Sequence, residues 1–244
     1  VKNILKKIKE NKLVAFDYET SSLNPYKNNQ KIWSIGVACS SEEAFSFGFD
    51  HPEVVEIQRM IISRLWSEIL IDPEVKKIAQ NLKFEDKWSR QIFKVVPQGW
   101  LSDTMTSQHI LDDRRGTTGL KFQSFVRWGV QDYTDSINKF ISSDSDNSNK
   151  LDQVSIKDLC IYNGSDALLT FKLYEEQKKE LAEIDKIYEA KIAERKIMAD
   201  QELQKNYGHY EAVLKIQENL REDIQKLEEE REAKKQSVRV SGKQ

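Results

Sequence analysis

The feature that most constrains the fold is a series of three short apolar segments within the first fifty residues. The clearest is Ile32–Ala38, a mostly apolar run of the kind found in buried β-strands. An earlier segment, 13–16, has the same character and continues into the polar residues 17–20, and residues 43–49 form the third segment. A turn-rich stretch separates the first two segments. We therefore expect consecutive strands of one sheet near the N-terminus.

Helical periodicity follows these strands along the chain. Apolar residues recur at helical spacing in three segments, 54–70, 84–93 and 154–174. Lys76–Ala79 is a candidate short strand, and Ser102 or Asp103 is a candidate cap at the start of another helix. The predicted fold class is therefore α/β, a mixed sheet with helices on its faces.

The C-terminal part of the chain has a different composition. From about residue 175 charged residues of both signs are dense, and apolar residues between 213 and 227 recur every three or four positions, which predicts an apolar helix face. Asn206-Tyr207-Gly208 predicts a break between two helices. We expect residues 1–175 to form one domain and 176–244 a charged helical arm. The polar, low-complexity stretch 142–149 is expected to be a loop.

Composition excludes several classes of protein. The 244 residues include 38 basic and 40 acidic side chains, a net charge of −2, which excludes a polycationic nucleic-acid coat but not a local basic groove. Two distant cysteines exclude a disulfide scaffold, and three scattered histidines offer no zinc site. No apolar run approaches the ~20 residues that cross a membrane. These observations favour a cytoplasmic protein with no membrane partner.

Asp17 and Glu19 form the first candidate site. They continue an apolar strand, and residues i and i+2 of a strand point to the same face. Two carboxylates placed in this way repel each other unless a cation joins them, and Mg²⁺ prefers carboxylate oxygens. On its own, the pair is explained equally well as a solvated strand end.

Two later segments carry further acidic residues. In the segment 81–86, Asn81 can cap a helix and place Glu85 one turn inside it. A favourable surface position near the positive end of the helix is a sufficient explanation for Glu85. Tyr162 and Asp166 are four residues apart and share a helix face. A tyrosine hydroxyl that satisfies a buried aspartate explains this second pair without any chemistry.

Together, the three segments resemble the DnaQ-like 3′–5′ exonucleases of the DEDD type that carry a tyrosine in the last motif. The closest resemblance is to the proofreading exonuclease domain of family A DNA polymerases, the DNA polymerase I type. The resemblance rests on 16–23, 81–85 and 162–166 as the three motifs, and on 103–105 and 119–121 between the last two. It covers roughly residues 10–175. It implies a ribonuclease H-like fold, with the site at the sheet edge where the first and third motifs meet.

The resemblance also implies phosphodiester hydrolysis with two divalent metal ions, Mg²⁺ or Mn²⁺. In this reading Asp17 bridges the ions, while Glu19 and Asp166 help to hold the ion that activates water. Glu85 supports the second ion through its water shell. Tyr162 orients the attacking water. Metal rather than phenolate activates this water, because an unperturbed tyrosine titrates near pH ~10.

The second motif departs from the family pattern. It usually ends in aspartate, whereas this chain has Glu85 followed by Asp86. Glutamate is one methylene longer and can still reach a metal ion through water. Successive residues of a helix point about 100° apart, so the two carboxylates cannot both face the site, and we favour Glu85.

Four further residues match positions of substrate contact in the family. Thr20 and Leu23 match places where the family contacts or wedges the terminal nucleotide. Asn81 and Lys83 fit contact with the nucleic-acid strand, although a solvent-facing lysine is also consistent with the sequence.

Three functions remain open. The first is a 3′–5′ exonuclease acting on single-stranded DNA ends in proofreading or DNA processing, which the Asn-Leu-Lys-Phe segment favours. The second is an RNase D-like exoribonuclease, since 2′-OH contacts, not chemistry at the phosphate, separate the two substrates. The third is a catalytically weak module of the same fold. Loss of metal ligands would mark this module, whereas all four acidic positions are occupied.

The helical arm leaves a choice of organisation. It loosely resembles the linker and first helices of a family A polymerase. The chain is then either a stand-alone exonuclease or half of a split polymerase whose other subunit docks on the arm. The split arrangement would suggest a phage-like source and the host cytoplasm. A self-packed helical hairpin explains the arm equally well.

Overall fold

The computed structural model describes residues 1–135, 137–141 and 149–236. The expected loop at 142–149 therefore lies outside the described residues, apart from Asn149. The strands are β1 (Leu13–Thr20), β2 (Ile32–Ala38), β3 (Ala44–Gly48), β4 (Lys76–Ala79) and β5 (Trp100–Asp103). The helices are α1 (Lys2–Asn11), α2 (Glu56–Ile71), α3 (Leu82–Ile92), α4 (Thr104–Leu111), α5 (Leu120–Trp128), α6 (Asn138–Ile141), α7 (Ile156–Lys205) and α8 (Tyr210–Gln236), with a 3₁₀ turn at Leu151–Gln153.

The five strands form one mixed sheet in the order β3-β2-β1-β4-β5. β1 pairs antiparallel with β2 and parallel with β4, and β5 continues the parallel half. The predicted mixed sheet flanked by helices is confirmed. β1 is the central strand and ends at Thr20, so Asp17 and Glu19 lie close to the carboxyl end of this strand.

Alternation along β1 separates the apolar core from the carboxylates. Phe16 and Tyr18 point into the main hydrophobic cluster, which includes Trp66 and Trp88. Ala15 points to the opposite face, where it packs with residues of α7. Asp17 and Glu19 follow Ala15 at intervals of two residues and therefore share its face.

Several elements differ from the sequence-based expectation. The sequence analysis did not include α1, in which Leu5 and Ile8 bury one face of the helix. β5 was missed because it spans only four residues and runs directly into α4. The expected helix at 154–174 is part of α7, which continues for 50 residues. The expected break at 206–208 is present, with Gly208 at φ 94°.

The chain divides into two compact units. The first comprises Val1–Ser107 and Gly116–Glu175, and the second comprises Gln108–Arg115 and the chain from Glu176 onward. In the second unit, the apolar residues of the expected helix face are half-buried, namely Val213, Ile216, Leu220, Ile224 and Leu227. Arg195 Nε lies 3.7 Å from Asp223 Oδ2. The boundary expected after residue 175 stays a prediction. Among the described residues, no helix is long and apolar enough to span a bilayer.

α7 crosses β2 at a close approach that requires glycine. A Cβ atom at Gly36 would collide with the backbone carbonyl of Asn163, whose carbon would lie 2.9 Å away. A Cβ atom at Gly164, one residue further along α7, would meet only Ser46 Cβ at 3.6 Å, an ordinary contact. The two glycines therefore have different roles, although they lie near each other.

Gly36→Ala should lower the free energy of unfolding by about 1–3 kcal/mol, because α7 must move away from the sheet. Gly164→Ala should leave it unchanged or raise it by up to about 1 kcal/mol, since alanine favours a helix interior. Urea denaturation followed by circular dichroism measures both. Equal stability of the two variants would contradict the close approach.

Candidate active site

Three carboxylates converge where β1 meets α7. Asp17 and Glu19 come from β1 and Asp166 comes from α7, and one oxygen of each lies within 4.8 Å of the others. Asp17 and Glu19 are half-buried and Asp166 is buried. The structure thus brings together residues that are separated by about 150 positions in the chain.

This arrangement is electrostatically costly without a cation. Burial, followed by the charge of Asp166, raises the pKa of Asp17 to about 8. Burial and the charges of Asp17 and Asp166 raise the pKa of Glu19 well above its ordinary value, and burial raises that of Asp166. The cluster therefore retains protons that a bound cation would displace.

Asn163 fixes the position of Asp17. Its Nδ2 donates to Asp17 Oδ2 at 2.8 Å and to the Asp17 carbonyl at 3.2 Å. Its Oδ1 accepts hydrogen bonds from Ser34 Oγ at 3.0 Å and Ser46 Oγ at 3.1 Å. A single buried amide therefore joins β1, β2, β3 and α7 at the carboxylate cluster.

Glu85 and Asp86 face different surroundings. Glu85 is 2% exposed, and its Oε2 has no hydrogen-bond partner within the described part of the chain. Burial, then the charge of Asp17, raises its pKa well above the ordinary value. Asp86 instead accepts hydrogen bonds from Arg90 Nε at 2.6 Å and Trp100 Nε1 at 3.2 Å. Within the described part of the chain, Glu85 therefore has a buried carboxylate oxygen without a partner, whereas the Asp86 carboxylate is hydrogen-bonded.

The start of α3 is held by Asp103 and not by the expected cap. Asn81 occupies the N-cap position with φ 66°, but its side chain makes no capping hydrogen bond. The Asp103 carboxylate accepts the N–H groups of Asn81 at 2.9 Å and Leu82 at 3.1 Å. It also accepts the Met105 N–H at 3.0 Å, as expected for the cap of α4. Asp103 therefore fixes the helix that carries Glu85.

Two tyrosines and a lysine complete the site. Lys121 Nζ donates to the Tyr162 hydroxyl at 3.0 Å, and the Tyr133 hydroxyl donates to Asp166 Oδ1. The rings of Tyr133 and Tyr162 lie with centroids 5.8 Å apart. Burial, followed by the charge of Asp166, raises the pKa of both tyrosines above the ordinary value. Tyr162 is therefore a neutral phenol at neutral pH.

The expected substrate contacts lie in varied environments. Thr20 is buried, and its Oγ1 donates to the Ser22 carbonyl at 2.8 Å. Leu23 is 73% exposed, Lys83 is exposed and Asn81 is half-buried. Among the described residues, the polar side chains of Thr20, Asn81 and Lys83 make no hydrogen bond to the carboxylates, and the role of all four residues in binding stays a prediction.

Sequence reasoning gave no role at the site to Asn163, Tyr133 or Lys121. Asn163 and Lys121 lie inside segments that carry the family resemblance, which is a signal that could have found them. Tyr133 lies in an irregular stretch with no such signal. Its place at the site depends on the path of the chain between α5 and α6.

The residues present fit hard divalent cations. The cluster offers only carboxylate oxygens, the ligand type that Mg²⁺ prefers. Glu85 adds a buried oxygen that lacks a partner within the described residues. Burial raises the pKa values of all four acids, and neighbouring carboxylates raise those of Asp17, Glu19 and Glu85 further.

Comparison with known proteins points in the same direction. The family model DNA_pol_A_exo1, described as 3′–5′ exonuclease, matches residues 1–182. The catalytic core of RRP6 from Trypanosoma brucei has a TM-score of 0.54 at 11% identity, over 74% of this chain and 44% of that one. Escherichia coli RNase D, titled an exoribonuclease involved in structured RNA processing, has a TM-score of 0.50 at 15% identity, over 72% and 42%.

A third similar structure contains a ligand. Brucella melitensis NrnC bound to pGG has a TM-score of 0.50 at 19% identity, over 70% of this chain and 74% of that one. At such identities these similarities concern the fold, which is the ribonuclease H-like arrangement that was predicted.

Without divalent metal, the carboxylate cluster should make stability fall as pH rises. The folded pKa of Asp17, about 8, exceeds its unfolded value near 3.8. The folded state therefore binds more protons between these pH values, so the free energy of unfolding decreases from about pH 4 to pH 8. Mg²⁺ should reverse this loss by binding only the folded state.

Asp17→Asn is the matched variant for this effect. In EDTA at pH 8 it should be more stable than the wild type by about 1 kcal/mol or more, because one pKa unit corresponds to about 1.4 kcal/mol. It should gain less from Mg²⁺. Thermal and urea unfolding between pH 5 and 8 test both statements. A wild-type profile parallel to that of the variant would contradict them.

Proposed function

Because this chain belongs to the DnaQ-like 3′–5′ exonuclease family, we propose that it is a two-metal-dependent enzyme that shortens single-stranded DNA from the 3′ end. The observation that carries the proposal is the convergence of Asp17, Glu19 and Asp166 within 4.8 Å. Buried Glu85, whose Oε2 has no partner among the described residues, is the fourth acid. The setting we propose is proofreading or DNA processing.

In this proposal the carboxylates hold Mg²⁺ or Mn²⁺. Asp17 would serve both ions, Glu19 and Asp166 would help to hold one of them, and Glu85 would support the other through water. When bound, the two ions supply an activated water and stabilise charge on the leaving oxygen. Asn163 keeps Asp17 in place through the hydrogen bond to Oδ2.

The remaining residues act on the water and the nucleic acid. Tyr162 orients the attacking water as a neutral phenol. The water oxygen forms a bond to phosphorus as the bond to the preceding 3′ oxygen breaks, which releases a nucleoside 5′-monophosphate. Thr20 and Leu23 contact the terminal nucleotide, and Asn81 and Lys83 contact the strand.

The alternative substrate is RNA. The fold similarity to E. coli RNase D and to NrnC bound to pGG favours testing an exoribonuclease beside the DNA enzyme. The name of the matching family model and the Asn-Leu-Lys-Phe segment support DNA. A 2′-OH contact would decide between them.

A catalytically weak module is the less favoured interpretation. Its docking partner would be a separate polymerase subunit that contacts the helical arm, and no comparison provides such a partner or links the chain to a phage. The full set of acidic side chains supports an enzyme instead.

The direct test is degradation of matched 5′-labelled single-stranded DNA and RNA with Mg²⁺ or Mn²⁺. The wild type should give a ladder that shortens from the 3′ end of DNA. Asp17→Ala should lower the rate at least ~100-fold, the scale of losing a major electrostatic contribution. A ladder on RNA alone would replace the DNA proposal by the exoribonuclease. A folded protein that is inactive on both substrates would refute the proposal of an exonuclease.

Glu85 and Asp86 provide a second test. Glu85→Gln should lower kcat by about 10–100-fold, the scale for a residue that supports a metal through its outer ligands, and Glu85→Asp should retain activity. Asp86→Asn should keep kcat and lose about 1 kcal/mol of stability or less, because it breaks a partly exposed pair with Arg90. Single-turnover kinetics on 5′-labelled DNA and urea unfolding measure these effects. Loss of activity in Asp86→Asn alone would reverse the assignment.

A further inference from the structure

Lys121 lies beside the site but outside the three acidic motifs. It occupies the second position of α5, and its Nζ donates to the Tyr162 hydroxyl at 3.0 Å. The side chain is otherwise exposed, so its position is not explained by packing in the core. Its hydrogen bond joins α5 to the tyrosine that the proposed function uses to orient water.

Two aromatic rings hold the ammonium group in this position. Lys121 Nζ lies 5.0 Å from the ring centroid of Tyr162 and 5.8 Å from that of Tyr133. A lysine cation within about 6 Å of a ring is attracted by its electron-rich face. Because the two rings also contact each other, lysine and tyrosines form a single cluster.

This cluster is connected to the carboxylates by charge and by hydrogen bonding. The Tyr133 hydroxyl donates to Asp166 Oδ1. The positive charge of Lys121 lowers the pKa values of Asp17, Glu19 and Asp166 and so partly offsets the rise that burial causes. Lys121 therefore interacts with the acids through its charge and with Tyr162 through a hydrogen bond.

We propose that Lys121 is a positioning residue that sets the orientation of the Tyr162 hydroxyl. An ammonium N–H directed at the phenol oxygen occupies one of its lone pairs, so the phenol hydrogen must point elsewhere. Asp166 is also a hydrogen-bond partner of the Tyr162 hydroxyl, so the phenol hydrogen is directed towards the acids, where the proposed function needs the attacking water. This inference rests on the proposed exonuclease function and assigns Lys121 an effect on kcat through Tyr162.

A direct phosphate contact is the competing role, and it makes different predictions. A lysine that binds phosphate contributes to affinity and to the salt dependence of binding. Its loss would raise KM and weaken the salt dependence, with little change in kcat. Loss of a positioning residue lowers kcat and leaves KM and its salt dependence nearly unchanged.

The test is a double-mutant cycle of Lys121→Met and Tyr162→Phe in the full chain, with the substrate, DNA or RNA, that the wild type degrades. Lys121→Met should lower kcat by about 10–100-fold, as loss of a partner of the metal-site residues does. In the Tyr162→Phe background the same change should have little further effect, because coupled residues are non-additive. Lys121→Arg should restore part of kcat.

Lys6→Met is the matched control for loss of one positive charge. Lys6 lies on α1 with its side chain 77% exposed, and its removal should leave kcat and KM unchanged. Circular dichroism and urea unfolding of each variant establish that a loss of kcat is not a loss of folded protein.

Each other outcome overturns the inference. A rise in KM with kcat intact makes Lys121 a phosphate contact. An equal fall of kcat in the wild-type and Tyr162→Phe backgrounds makes it independent of Tyr162. Unchanged kinetics remove it from the site while the exonuclease proposal stands. A folded wild type that degrades neither substrate refutes the exonuclease proposal and, with it, the role of Lys121.

Discussion

The close approach of α7 to the sheet at Gly36 is the constraint on which the site depends. Without a Cβ atom at this position, the helix backbone at Asn163 can lie directly against β2. Asn163 then reaches Asp17, and Asp166, one turn later, meets the carboxylates of β1. A larger residue at position 36 would separate the two elements that carry the acids.

The same contact buries carboxylates close to one another, an unfavourable arrangement that a bound cation would neutralise. Burial raises the pKa values of all three acids, and repulsion between acids held on the sheet and on α7 raises those of Asp17 and Glu19 further. Burial and repulsion of these acids lower the free energy of unfolding, and a bound divalent ion would raise it again. Local destabilisation of this kind is common where side chains are arranged for binding instead of for stability.

The position of Glu85 depends on a different interaction, the hydrogen bonds between Asp103 and the start of α3. Asp103 at the end of β5 binds the N–H groups at the start of α3 and thereby fixes the rotation of that helix. With this rotation Glu85 is buried, whereas Asp86 accepts hydrogen bonds from Arg90 and Trp100. A parallel strand pair, β4 and β5, therefore positions an acid that belongs to neither strand.

The mixed α/β fold and most of its elements could be predicted from the sequence alone. The sequence also placed Asp17 and Glu19 on one face of a strand, because the period of two is a local property, and the three motifs together identified the family. Only tertiary packing brings Asp166 to the acids of β1, replaces the Asn81 side chain by Asp103 as the cap of α3, and brings Lys121 and Tyr133 to Tyr162. These contacts link residues far apart in sequence, and only the packing of helices on the sheet fixes their distances.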